Sequence, residues 1–238
     1  MMQCRVIFEE RKREIELYFE LLTDIIDREA VLIFPLPRDA NADEARTERL
    51  IGKELSHTLK ANGFLLLYNL VEASMTAGFE DIHTQIEAEE GLGADDLVDC
   101  LAHRAMRRFK SGVLEDASYF KHPASASILK YWLDDHKKLL RQEKSPLFSG
   151  NLDARKIREI GEEYGFSTVA GVQSDGRHLL AVKQKRNLLA HGTLGFRDCG
   201  REVSLPELLE IRRDVVAHLD GVVGNIEAYL SNRAYRRS

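Results

Sequence analysis

Cysteine is nearly absent. The three that occur, Cys4, Cys100 and Cys199, are far apart and odd in number. That excludes a disulfide framework and a zinc knuckle, and it fits a reducing cytoplasm, the expected compartment. Proline is sparse, with five in 238 residues. Few stretches therefore read as linkers, and residues 1–238 are expected to form a single domain. No apolar window reaches the roughly 18 residues of a membrane span, so no transmembrane helix and no membrane partner are expected. Met1 to Glu10 is charged and reads as no signal peptide. A basic excess is also lacking: 34 basic against 39 acidic residues give a formal net charge of −5, unlike a generic nucleic-acid binder. Contact with a polyanion then needs a local patch. Three clusters qualify: Arg104, Arg107, Arg108 and Lys110; Lys183, Lys185 and Arg186; and Arg233, Arg236 and Arg237. Each also reads as a solvated helix face. The chain has no G-x-x-x-x-G-K, H-E-x-x-H, C-x-x-C or G-x-S-x-G motif, and Glu87 to Asp99 lacks metal-loop spacing. No cofactor and no metal is expected.

What is present is helical periodicity nearly throughout, and the expected fold class is all-α. Phe8 to Ala30 places Ile15, Tyr18, Leu22, Ile25 and Ile26 on one face. A second helical tract is expected from near Asp43 through Leu50, Leu55 and Leu59, with a kink or break at Asn62-Gly63. Phe64 to Glu90 starts apolar all round, as a central helix does, yet carries Asn69 and Glu72 inside the apolar run. Buried polar groups need partners. These two read either as hydrogen bonds to a neighbouring helix or as groups facing a cleft. Asp95 to Lys110 reads as a helix, and 111–150 as a helical or loop insert on the bundle. Leu152 to Tyr164 reads as a helix closed by Gly165, and Gly171 to Arg177 as a polar loop. His178 to His191 is helical, with Gly192 at its stop. A final helix starts at Ser204 with Glu207 as a capping box and runs to about Tyr229.

Arg186-Asn187-Leu188-Leu189-Ala190-His191-Gly192 puts a guanidinium, an amide and an imidazole within six residues. Arginine grips phosphate with a planar fork of donors, and histidine carries a proton near neutral pH. The spacing alone says little. Chance places an Arg-x4-His pair about 0.7 times in a chain with 22 arginines and 8 histidines. Indeed Arg213 and His218 repeat it, amid core-like Val215, Val216 and Leu219. Asn187 and His191 share a helix face, whereas Arg186 is rotated roughly 100° from Asn187. One helix therefore does not bring Arg186 and His191 onto one small substrate, but two facing copies do. This geometry predicts a two-fold symmetric dimer. His191 would lie at the negative end of its helix, which favours imidazolium.

Four stretches, in order along the chain, resemble the HEPN superfamily and within it the MAE-type HEPN branch. They are Phe8-Glu9-Glu10-Arg11, Leu66 to Ala73, Ser149 to Asp153 with Ile157 to Ile160, and the Arg186–Gly192 stretch itself. The resemblance implies an HEPN-like helical bundle and a homodimer with the Arg186–His191 helices facing each other. Arg186 and His191 are then catalytic and Asn187 supporting, in a metal-independent ribonuclease of a toxin–antitoxin or defence system. Lys183, Lys185, Asn69 and Glu72 are candidate RNA-binding residues. RNA, a second copy, and an antitoxin or second HEPN-like chain are the implied partners. One HEPN toxin group carries a modified tyrosine two residues after the histidine; here Thr193 stands there, which argues against that control. The alternative is a non-catalytic HEPN module that binds RNA or a partner. A small-molecule nucleotide-binding domain is a third reading, for which no residues specify a pocket.

Overall fold

The computed structural model describes residues 2–34, 47–113, 124–141, 151–169 and 175–237. Among them are eight α-helices: α1 Gln3–Ile26, α2 Lys53–Glu87, α3 Asp99–Val113, α4 Ser125–Arg141, α5 Ala154–Tyr164, α6 Arg177–Ala190, α7 Phe196–Arg201 and α8 Leu205–Ser231. The only strands among these residues are β1 Val31–Phe34 and β2 Thr47–Leu50, paired antiparallel with Val31 opposite Leu50 and Phe34 opposite Thr47. Among the described residues no helix is long and apolar enough to cross a membrane.

The axis of the bundle is α2. Its 35 residues extend about 52 Å at 1.5 Å per residue. It packs against α1, α4, α6, α7 and α8, so it buries residues on most of its circumference, from Ala61 to Ile86. α1 returns along it, burying Phe8, Ile15, Phe19, Leu22 and Ile25 at helical spacing, with Tyr18 and Ile26 partly covered. The first turn of α1 lacks a local cap. Asp81 of α2 supplies one instead, accepting the Gln3 and Cys4 N–H groups at 3.2 and 2.8 Å. The expected ends of α5 and α8 hold. Asp153 accepts the Lys156 N–H at 2.9 Å and Gly165 closes α5 at φ +82°, while Ser204 accepts the Glu207 N–H at 3.3 Å.

Three expectations are corrected and one is made more specific. The second helix starts at Lys53; Leu50, read as helical, lies in β2, where it is exposed, and Asp43 falls outside the described residues. Asn62-Gly63 breaks nothing. A Cβ at Gly63 would stand 3.2 Å from Phe19 Cζ, so the glycine lets α1 approach a continuous helix. Within 111–150, the helical part is α4, whose Ile128, Leu129, Trp132 and Leu133 are core residues, while 114–123 and 142–150 lie outside the described residues. Asn69 is exposed and Glu72 half-buried, so neither is the fully buried polar group that the apolar run suggests. α7 was not anticipated at all.

Candidate functional site

The site grows from α6. At its start Gly176 adopts φ +69°, and a Cβ there would stand 2.9 Å from His218 Cε1. His218 of α8 is thus packed beneath the helix entry. Its neighbour Asp214 accepts from His178 Nδ1 at 3.0 Å. The second Arg-x4-His pair is therefore divided between an exposed Arg213 and a buried His218, and it serves α6 as a support.

At the other end His191 caps α6, its N–H bonded to the Asn187 carbonyl at 3.0 Å. Gly192 turns left-handed at φ +67°. Its N–H reaches Leu189 O at 3.1 Å, and Thr193 N–H reaches Leu188 O at 3.0 Å. This pair of bonds closes the carbonyl end of the helix. The chain leaves sharply, and His191 stays exposed at the negative helix terminus.

The cations of α6 differ in what they meet. Arg177 pairs with Asp175 at 3.1 Å. Lys183 pairs with Asp153, and Lys185 with Glu202. Burial works to raise the Asp153 pKa, but Lys183 and the Lys156 N–H outweigh it and hold the carboxyl below its usual range. Arg186 has no carboxylate partner among the described residues. Its Nη1 donates to Asn187 Oδ1 at 3.0 Å, and its guanidinium carbon lies 4.7 Å from the Tyr68 ring centroid. Tyr68, buried in α2, accepts the Leu152 N–H at 3.2 Å. Burial raises its pKa, and the nearby Glu72 carboxylate adds to the rise. The structure thus gathers Arg186, Asn187 and Glu72 around Tyr68, and it commits Lys183 and Lys185 to ion pairs. Tyr68 is the residue that sequence reasoning missed. Its one signal was its place between Leu67 and Asn69 in the family-like stretch.

The other basic clusters also meet carboxylates: Arg104 and Arg107 with Glu163, Arg108 with Asp135, Arg233 and Arg236 with Glu89, and Arg237 with Asp99. Leu180 and Leu188 are exposed on α6 on either side of the exposed Gln184, and Phe196 follows just beyond.

A second polar cluster lies away from this site, where α2, α4 and α5 meet. His83 and His136 stack with ring centroids 3.6 Å apart and planes at 16°. His83 Nε2 bonds the Tyr164 hydroxyl at 3.0 Å, and Trp132 lies against the pair. Both imidazoles are buried, and His83 Nδ1 and His136 Nε2 lack partners. Burial pushes both pKa values down, that of His136 to about 4; each is lowered further by a cationic neighbour, Arg104. A cavity of about 160 Å³ borders them, lined by Glu80, Thr84, Glu87, Leu133 and Lys137. Among the described residues no group of three or more His, Cys, Asp or Glu side chains is placed to hold a metal ion.

The family profile for MAE_28990-like HEPN matches residues 7–235. No curated protein matches the chain, and no solved structure does.

Proposed function

The chain belongs to the MAE_28990-like HEPN family, and from that premise we propose that it is a metal-independent endoribonuclease acting as a homodimer. HEPN domains are helical, commonly ribonucleases, and typically bind RNA and dimerise. The observation that carries the reading is the state of Arg186. Among the described residues it is the cation of α6 left without a carboxylate, and it is held beside Asn187, which lies one turn before an exposed His191.

In this reading two α6 helices approach each other about a two-fold axis near their C-terminal ends, where the exposed His191 of each copy meets the cleft. One His191 takes the proton of the RNA 2′-hydroxyl, and the other gives a proton to the departing 5′-oxygen. Arg186 stabilises the charge that gathers on the phosphate. The phosphorus–oxygen bond to the 5′-oxygen breaks as the 2′-oxygen bond forms, leaving a cyclic phosphate and a 5′-hydroxyl. Asn187 supports Arg186, and the Glu72 carboxylate lies near Tyr68 in the same region. Lys183 and Lys185 act as anchors of the site more than as ligands of RNA, since Asp153 and Glu202 hold them. We place this activity in a toxin–antitoxin or defence setting, where a partner chain restrains it.

Purified protein is expected to cut RNA in EDTA and to leave cyclic phosphate ends. His191→Ala and Arg186→Ala should each lower the rate at least about 100-fold. Cutting by His191→Ala at the wild-type rate would refute the assignment. The paired basic clusters favour one other reading, a non-catalytic partner-binding module. It prevails if no RNA is cut and expression is harmless.

A further inference from the structure

An arginine that grips a phosphate in the transition state must be held still and remain charged. A carboxylate partner would hold it, but would also neutralise it and compete with the phosphate. The face of an aromatic ring attracts the cation through its quadrupole and leaves the N–H edge of the guanidinium open. Arg186 is held in this way. Its guanidinium carbon lies 4.7 Å from the Tyr68 centroid, and one N–H is directed to Asn187 Oδ1. The contrast within the molecule is Arg104. It lies 4.5 Å from the Tyr164 ring but is also paired with Glu163.

Tyr68 is itself fixed from three sides. It is 2% exposed, its hydroxyl accepts the Leu152 N–H at 3.2 Å, and Leu152 is fully buried. The next residue, Asp153, caps α5 and pairs with Lys183, one turn before Arg186. α2, the start of α5 and α6 therefore converge on one ring.

We propose that Tyr68 is a positioning residue for Arg186: a rigid aromatic shelf that orients the guanidinium toward an RNA phosphate without neutralising it. The proposal rests on the ribonuclease reading only for its consequence in catalysis. The orientation itself is testable without it.

The test compares wild type, Tyr68→Phe, and protein with 3,4,5-trifluorophenylalanine at position 68. The fluorinated ring keeps nearly the same shape but has an electron-poor face, so it separates attraction from packing. The first readout is the rate at which phenylglyoxal modifies Arg186, followed by peptide mass spectrometry. Tyr68→Phe should label as wild type, and the fluorinated ring should label about three- to tenfold faster as the cation is released. Equal rates in all three would overturn the proposal, whether or not the protein cuts RNA. The second readout is RNA cleavage. The fluorinated protein should lose about tenfold in kcat with KM nearly unchanged, the pattern of a group that acts in the transition state alone. A KM rise with constant kcat would overturn the positioning role. Absence of cleavage by wild type would instead refute the ribonuclease reading, with the labelling still deciding whether Tyr68 orients Arg186.

Discussion

Lowering the pH from 7.5 to 5 should loosen the seat of α4 through the stacked His83 and His136. Both rings are neutral in the folded protein because a charge there would be buried, stacked on another imidazole and close to Arg104. A histidine whose folded pKa is depressed contributes stability that is complete above the unfolded pKa, here 6.5, and is lost as pH falls toward the folded value. With the His136 pKa at about 4, linkage gives a loss of about 2 kcal/mol at pH 5 from this residue alone. His83 adds to the loss in the same direction. For 238 residues, at about 2.1 cal/mol/K of unfolding entropy per residue, 2 kcal/mol lowers Tm by about 4 °C. The assay is thermal unfolding by circular dichroism at intervals of half a pH unit, for wild type and for His136→Gln. The glutamine variant is neutral at every pH. It should start less stable at pH 7.5, because the ring stacking is lost, and fall less steeply toward pH 5. The carboxylates held low, such as Asp153, titrate below this window. Parallel curves for the two proteins would refute the account.

Three further outcomes are expected. Gly192→Ala meets no steric obstacle, since nothing lies within 4 Å of the added Cβ. Its φ of +67° alone should lower stability by about 1 kcal/mol, read in urea, and kcat should fall with the displaced His191. Gly200→Ala should be far worse: its Cβ would sit 1.8 Å from the His57 carbonyl oxygen on α2, so α7 must move, and a loss of about 3 kcal/mol is expected in the same titration. Joint replacement Leu180→Glu and Leu188→Glu should leave the far-ultraviolet spectrum intact, yet convert a dimer to a monomer in light scattering and abolish RNA cutting. Dimer retention would exclude the α6 face as the interface.

Periodicity made the helices legible where one face is buried and the ends are marked. α1, α5 and α8 follow from Ile15 and Leu22, from Asp153 and Gly165, and from Ser204. It failed where neighbours decide. Val31 to Phe34 is a short apolar run that suits strand or helix equally, and only its partner Thr47 to Leu50 resolves it. Gly63 reads as a breaker until Phe19 is placed against it. The apolar start of α2 concealed that Asn69 is exposed. At the site, Arg186, Asn187 and His191 were visible as a local string. The carboxylates that hold Lys183 and Lys185, 30 and 17 residues away in sequence, were not. Neither was the ring beneath Arg186, more than 100 residues earlier in the chain.

On the proposed ribonuclease reading, those two ion-paired lysines carry a consequence for how the protein would meet RNA in a salt solution. A lysine already bound to a carboxylate displaces few counterions from a phosphate chain. If the grip rests on Arg186 from two copies, the logarithm of affinity should fall with the logarithm of salt at a slope of only about −1.4 for single strands. A binder of that kind gains little from bulk polyanion. It passes over the abundant RNA of a cell without being absorbed by it, and its choice of target must come from the shape and bases presented at the cleft.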